Sequence, residues 1–314
     1  MPRPRIWGWP DMARPAFRAG AIHVRVPATC ANLGPGFDAL GLALSRYDDA
    51  VARVGEDGLV VDVAGEGADD LPRDGSHLVV RTMQAVFERL GGQPRGLELV
   101  CANRIPQGRG LGSSAAAIVA GVLLARALVV AGDEAVPDED VLALAAELEG
   151  HPDNVAACLL GGLTVAWTEG DRTSAVRLEC DPSVQPVVFV PPGATSTEQA
   201  RNLLPKTVKH ADATFNASRS ALLVAALTGH PGALLDATDD RLHQPYRAGS
   251  VPESAELLAR LRADGLPAVI SGAGPGVLVL ARHDVEAKSA LAHKPSGWDA
   301  ELLTVDAIGA HIVR

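Results

Sequence analysis

The sequence predicts an α+β protein of two domains, and three observations carry that prediction. Strand-like and helix-like patterning alternate along the chain. A break in composition over Asp181 to Pro186 separates two sets of elements. With 314 residues, 47% of them hydrophobic and 21% charged, the chain can bury more than one core comfortably holds. The expected organisation is a poorly ordered extension over residues 1–20, a first domain over 21–181 and a second over 182–314.

In the first domain, Ile22–Val26, Val51–Val54, Leu59–Val63 and Gly96–Ala102 cluster β-branched and apolar residues between turn formers and are expected as strands. Val79, Met83, Val86, Phe87 and Leu90 recur at helical spacing, as do Val141, Leu144, Ala145 and Leu148. Between these helices Ala115–Ala131 is apolar and rich in alanine, which predicts a buried helix; Arg126 and the small residues argue against a membrane span. Strand character returns at Gly162–Trp167 and Ser174–Leu178. The second domain opens with the run Val187–Val190, stopped by Pro191-Pro192-Gly193. Helices follow at about Thr207–Leu227 and Glu253–Arg262, with strands at Ala268–Ser271, Val277–Ala281 and Leu302–Val305.

A net charge of −10 disfavours nucleic acid and anionic membrane as partners, so an anionic ligand must be met by local positive features. The four cysteines, Cys30, Cys101, Cys158 and Cys180, lie far apart without CxxC pairing. They are expected as reduced and mostly buried thiols, in keeping with a cytoplasmic setting. Residues 1–20 carry Arg3, Arg5, Arg14 and Arg18 without the apolar core of a signal peptide.

Pro106 to Ala117, PQGRGLGSSAAA, is the most informative stretch. Gly108, Gly110 and Gly112 allow positive φ and close approach of backbone to ligand, and the residues from Ser113 and Ser114 onward open a helix whose free N–H groups favour anions. No Lys-Ser or Lys-Thr follows the last glycine, so this is not a Walker A loop; the glycine spacing is not that of a dinucleotide fingerprint either. The candidate polyphosphate contacts are Pro106, Gln107, Gly108, Arg109, Gly110, Leu111, Gly112, Ser113, Ser114, Ala115 and Ala116.

Three further motifs narrow the chemistry. Val26-Pro-Ala-Thr-Cys-Ala-Asn-Leu-Gly-Pro-Gly-Phe-Asp38 offers the amide of Asn32 and the carboxylate of Asp38, either as turn caps or as grips on a polar substrate. Glu147-Leu-Glu-Gly-His-Pro-Asp-Asn154 ends one helix at Gly150 and starts another at Pro152. Mg²⁺ bound to a nucleotide takes one or two carboxylates or hydroxyls besides phosphate oxygens, which Ser114 and either Glu147 or Glu149 would supply. His151 has no second histidine at ligand spacing and suits a hydrogen bond or a substrate contact, while Asp153 and Asn154 could cap the next helix. Ser271-Gly-Ala-Gly-Pro-Gly276 links two strands, as a tight turn or as a loop approaching a neighbour or ligand.

In order and spacing, these four segments resemble the GHMP kinases, and within them the branch whose acceptor is L-homoserine. The resemblance runs from about Ala21 to Arg314. It implies an N-terminal α/β domain of ribosomal-protein type carrying the phosphate loop, and a C-terminal ferredoxin-like α+β domain. It also implies ATP as co-substrate with Mg²⁺, L-homoserine as acceptor and, as a family property, a homodimer. Ser196-Thr-Glu-Gln-Ala-Arg201 and Leu242-His-Gln-Pro-Tyr-Arg247 resemble two arginine-bearing stretches of the family. On this footing Asn32, Asp38, Asn154 and Arg201 are the expected catalytic residues. Asp38 would take the substrate ammonium, Arg201 and Arg247 its carboxylate, and Asn32 and Asn154 would orient polar atoms. His151 and Gly274 would line the same site, Arg241 is a weaker candidate, and Ser114 with Glu147 would support the metal. Departures from the family pattern are Thr29-Cys30, where small serine pairs are commoner, and a short link from Glu147 to His151. Other acceptors of the family, mevalonate derivatives or sugars, and a non-catalytic binding role on the same fold are the competing expectations.

Overall fold

A computed structural model describes residues 15–313 apart from Asp171 and Ser196. Most of the expected extension, residues 1–14, lies outside the described residues. Its end is packed: Phe17 meets the ring of Phe87 edge-on at 5.5 Å and bridges to Val129.

The first sheet has seven strands. These are β1 (Ile22–Ala31), β2 (Leu40–Gly55), β3 (Gly58–Gly65), β4 (Gly96–Asn103), β5 (Leu163–Glu169), β6 (Arg172–Leu178) and, from the far end of the chain, β11 (His311–Ile312). Strand β3 runs parallel to β4, and the other pairs are antiparallel. Two strands are longer than expected. β1 continues through Pro27, where its register against β2 shifts, because a bulge tolerates a residue with no N–H to give. β2 extends far beyond Val51–Val54, and its Asp48-Asp49 pair hides it from a search for apolar alternation; pairing on both sides, with β1 and with β4 or β5, holds it extended.

One face of this sheet carries helices. α1 (Leu78–Arg89) crosses between β3 and β4, and α2 (Ser113–Leu128) follows the glycine loop. α3 (Gly132–Ala135) and α4 (Asp138–Glu149) lead to α5 (Pro152–Leu160). The expected buried helix is α2, whose Ala115, Ala116, Val119, Val122 and Leu124 are fully enclosed between α1, α4, α5 and the sheet. It stops at Leu128, since Val129 is extended.

The second sheet is antiparallel in the order β10–β7–β9–β8, from β7 (Gln185–Val190), β8 (Ala268–Ile270), β9 (Val277–Ala281) and β10 (Asp299–Leu302). Before β8 the chain forms α6 (Thr197–Asn202), α7 (His210–Thr228), α8 (Leu234–Ala237), α9 (Gln244–Arg247) and α10 (Pro252–Ala263); α11 (Asp284–Ala292) joins β9 to β10. Strand, helix, two strands, helix and strand in the order 4–1–3–2 is the ferredoxin-like arrangement that was expected. Helices α10 and α11 cover a core of Val187, Phe189, Leu257, Leu261, Val277 and Trp298. The sequence misses α11, which shows no clean apolar stripe, and places β10 about three residues late. No helix among the described residues is long and apolar enough to cross a membrane.

Candidate active site

The glycine loop and the turn between β8 and β9 interlock, and that contact explains why both are rich in glycine. Gly108, Gly110 and Gly112 have φ of +65°, +76° and +69°. A Cβ on Gly110 would lie 2.3 Å from the carbonyl oxygen of Ser271, and one on Gly276 would lie 2.4 Å from that of Arg109. Ser271 Oγ donates to Gly110 O at 2.5 Å, and Gly276 N–H donates to Arg109 O at 3.1 Å. Arg109 turns its guanidinium away from the loop's mouth onto the carbonyls of Gln107, Pro191 and Pro192, anchoring the loop to the end of β7. Gly112 is the N-cap of α2 and no side chain caps that helix, so its first N–H groups face outward for a ligand.

A cavity of about 140 Å³ opens in front of this loop. Gly108, Gly110, Leu111, Gly112, Ser113 and Ser114 form one wall. Asn32, Asp38, Glu149, His151, Asp153, Asn154, Thr195, Arg201, Arg247 and Gly272 to Gly274 form the rest. A second cavity of about 210 Å³ lies behind the loop; Gln107, Gly108, Ser113, Ser114 and Ala116 border it together with Val26, Leu78, Val79, Cys101 and Ala117. Its lining is mostly apolar, suited to a flat heterocycle. Of the expected polyphosphate contacts, Pro106, Arg109 and Ala115 line neither cavity; Ala115 is fully buried.

Of the two candidate glutamates, the structure brings Glu149 and not Glu147 to Ser114. Ser114 Oγ donates to Glu149 Oε2 at 2.7 Å within the cavity, whereas Glu147 pairs with Arg89 at 2.7 Å on another face of α4. Residues two apart on a helix point about 200° apart, so only one of them can face the loop. Burial pushes the Glu149 carboxyl above its ordinary range against the bond from Ser114. No group of three or more His, Cys, Asp or Glu among the described residues could hold a metal by itself. A hydroxyl and one carboxylate beside a phosphate cradle nonetheless fit Mg²⁺, which typically keeps waters and substrate phosphates as its other ligands.

On the acceptor side, Asn32 is a latch. Its Oδ1 accepts the N–H of Asp38 and its Nδ2 donates to Gly272 O, both at 2.9 Å, joining the turn after β1 to the turn after β8. These bonds hold the turn, and the amide, which lines the cavity, keeps a second N–H and a second lone pair. Asn154 uses its Oδ1 to accept from Thr29 Oγ1 at 2.7 Å, which leaves its Nδ2 for the cavity.

Asp38 and Arg201 were expected to grip opposite ends of a substrate. Here they grip each other, in a bidentate pair of 2.9 and 3.0 Å. The half-exposed opposite charges neutralise one another. Arg247 differs: it is 2% exposed, and no carboxylate lies within ion-pairing distance of it among the described residues. Its guanidinium bonds to the carbonyls of Ala200 and Gly272 and the ring of His243, and lies over the ring of Phe37. Burial, with Arg201 next, pushes its pKa down, the mark of a desolvated cation lacking full compensation. Arg241 sits elsewhere, over the ring of Phe215 and near Asp212.

His151 stands at the N-cap position of α5 on the cavity wall without a side-chain capping bond, and its Nδ1 lies 3.2 Å from Asp153 Oδ1, a contact that raises its pKa. Asp153 is itself 2% exposed and lines the cavity, beyond the capping role read from sequence. Thr195 was not anticipated; Thr29, one of the polar residues of the first motif but given no role there, holds Asn154 from strand β1. Cys30 is inert: fully enclosed against Ser271, its thiol is pushed up to about 12 by burial.

A two-domain α+β chain with an uncapped glycine loop, a serine–carboxylate pair beside it and a charged acceptor pocket opposite has the anatomy of a small-molecule phosphotransferase. Residues 77–162 match the GHMP kinases N terminal domain and residues 222–294 the GHMP kinases C terminal domain, and the chain belongs to the GHMP kinase family. Its similarity within that family is to homoserine kinases. It is 60% identical over 302 residues to the homoserine kinase of Streptomyces avermitilis, covering 96% of this chain and 99% of that one. To the homoserine kinase of Clavibacter michiganensis subsp. michiganensis it is 49% identical, covering 93% of each. The crystal structure of homoserine kinase from Cytophaga hutchinsonii superposes with a TM-score of 0.79 at 26% identity over 96% of this chain and all of that one. L. major mevalonate kinase, 18% identical with a TM-score of 0.67 over 95% of this chain and all of that one, shares the fold.

Proposed function

We infer that the protein is an ATP-dependent homoserine kinase, transferring the γ-phosphoryl group of ATP to the side-chain hydroxyl of L-homoserine. The observation that carries this acceptor is the pairing of Asp38 with Arg201 beside the buried Arg247, which has no ion-pair partner among the described residues, at one end of a cavity of amino-acid size whose other carboxylates are Glu149 and Asp153. A zwitterion inserted there exchanges the Asp38–Arg201 pair for an ammonium on Asp38 and a carboxylate on Arg201 and Arg247. A sugar or mevalonate has no ammonium for Asp38.

The phosphates lie on the loop N–H groups and the N-terminus of α2, with the base in the apolar cavity behind. Ser114 and Glu149 would hold Mg²⁺, which supplies charge neutralisation on the phosphates. The acceptor hydroxyl oxygen forms the new bond to the γ-phosphorus as the bond to the β–γ bridging oxygen breaks. ADP departs and the hydroxyl proton is released. Phosphoryl transfer passes through a loose transition state in which positioning and charge stabilisation dominate, the work this chain's backbone loop and acceptor side chains are placed to do. The product, O-phospho-L-homoserine, serves threonine formation in the cytoplasm on this reading.

The test is a coupled ADP-release assay with ATP, Mg²⁺ and a panel of homoserine, mevalonate and sugars. Turnover with homoserine alone is expected; turnover with mevalonate or a sugar in its place would overturn the assignment.

A further inference from the structure

His243 is fully buried, belongs to the Leu242–Arg247 stretch without a role of its own assigned there, and touches three parts of the acceptor pocket at once. Its Nε2 is 2.8 Å from Gly34 O, its Nδ1 is 3.3 Å from Arg247 Nη1, and its ring stacks on Phe37 at 5.0 Å and 21°. Phe37 in turn lies under both substrate arginines, 5.3 Å from the Arg247 guanidinium and 5.9 Å from that of Arg201. The backbone of His243 is fixed by Asp240, whose Oδ2 also lies 3.5 Å from Nε2, a second acceptor on the side that carries the proton. Asp240, also buried, accepts the N–H groups of Leu242, His243 and Gln244 and is itself held by Asn216 Nδ2.

The bonding partners dictate the state of the ring. A carbonyl only accepts, so Nε2 carries the proton facing Gly34; a guanidinium only donates, so Nδ1 must present its lone pair to Arg247. Only the neutral Nε2–H tautomer satisfies both. Burial, the largest influence, pushes the imidazole below its ordinary pKa and keeps it in that form. A ring that merely filled the core would need neither bond, and a phenyl group would fill the space as well.

Resting on the reading of this cavity as the homoserine site, we propose that His243 is a positioning residue for acceptor recognition: as the Nε2–H tautomer it ties the Gly34–Asp38 turn to Arg247, fixing the distance between the ammonium grip and the carboxylate grip. The turn brings Asp38 and α9 brings Arg247, and the imidazole bonds to both segments. The imidazole also aims a guanidinium that has no carboxylate of its own to aim it. Arg247 is thus free to spend its charge on the substrate, because its orientation is set by a neutral acceptor.

The test compares His243→Phe, which keeps the stack on Phe37 and loses both hydrogen bonds, with His243→Gln, which can still donate to Gly34 and accept from Arg247. Steady-state kinetics should show a homoserine KM raised about tenfold or more in His243→Phe, as for loss of a hydrogen bond to a charged group, with the ATP KM within about twofold. Rescue by His243→Gln is expected to recover most of that loss. In an Arg247→Met background, His243→Phe should add nothing further, since the residue acts through Arg247. Equal effects in both backgrounds, or KM values for both substrates rising together, overturn the proposal. Should the phenylalanine variant fail to fold, ¹⁵N spectra of the wild-type imidazole decide. A neutral Nε2–H ring whose Nδ1 resonance moves on adding homoserine, and not on adding ATP, supports the role; a protonated ring or an unmoved resonance overturns it. Absence of homoserine turnover by the wild type would sink the acceptor assignment alone, because the tautomer and its link to Arg247 are read without substrate.

Discussion

The two halves of the cavity are built from different materials. The phosphate half is main chain: Gly108, Gly110 and Gly112 in left-handed conformations, the uncapped start of α2, and a second glycine turn packed so closely behind that Gly110 has no room for a methyl group. The acceptor half is side chain: Asp38, Arg201, Arg247 and Asn154, contributed by segments far apart in sequence and held by Asn32, Thr29 and His243. Backbone recognition suits a polyphosphate common to every member of a kinase family, whereas side-chain recognition can be exchanged for another acceptor without rebuilding the fold. The structures sharing this fold include a mevalonate kinase.

The contrast is tested most severely at Gly110. Alanine there would place Cβ 2.3 Å from the carbonyl oxygen of Ser271 at a φ of +76°, so either the loop or the β8–β9 turn must move. The expected loss in kcat/KM for ATP is on the order of 100-fold or more. Homoserine binding, measured by calorimetry without nucleotide, should fall by less than about threefold. Loss of both would mean the halves are one mechanical unit.

The reciprocal experiment is Arg247→Met. If Arg247 meets the substrate carboxylate as proposed, removing its buried guanidinium should raise the homoserine KM about 100-fold and leave the ATP KM within about twofold. An equal rise in both would break the division between main-chain and side-chain halves.

A smaller effect sharpens the seam between them. Glu149→Gln should lower kcat about tenfold and raise the Mg²⁺ concentration giving half-maximal rate, while Glu147→Gln on the outer face should stay within about twofold of wild type. The reverse ranking would return the metal to the residue the motif first suggested. The sequence could nearly have decided this. Centred on Val141, Leu144, Ala145 and Leu148, the apolar face of α4 leaves Glu149 about 90° and Glu147 about 110° away, too close to separate. Leu142, also buried, tips the face toward Glu149.

Legibility follows the same division. The phosphate half could be read because a positive φ leaves its mark as a glycine at the position that needs it, and the helix after it as a run of small apolar residues. Asp38, Arg201 and Arg247 were readable as residue types within motifs, but that the first two pair and the third does not depends on burial that spacing leaves open. The roles of Asn32, Thr29 and His243 were hidden for a plainer reason: each acts by a bond to a residue distant in the chain, and an isolated Asn, Thr or His reads equally well as a cap. Strand β2 was read short because Asp48 and Asp49 interrupt its apolar pattern where it carries the loop's foundation.

That foundation gives the smallest expected effect. Asp48 Oδ1 accepts the N–H groups of Arg104 and Ile105 at the root of the glycine loop, so here a side chain braces the main-chain half. Burial raises its pKa from 3.8 to about 6. A folded-state value above the unfolded one means that ionisation costs stability: the favourable contribution is complete below about pH 4 and is lost as pH rises through 6. Asparagine keeps the accepting oxygen and cannot ionise. Asp48→Asn should therefore match the wild type near pH 4 and exceed it above pH 6 by roughly 1–3 kcal/mol, a rise of a few degrees in melting temperature. The ATP KM should change by less than about threefold, because the brace works through an oxygen both residues possess. A stability gap independent of pH would assign the difference to something other than the buried charge. A large rise in the ATP KM would mean that the loop depends on that charge, and that its main-chain character is less complete than its glycines suggest.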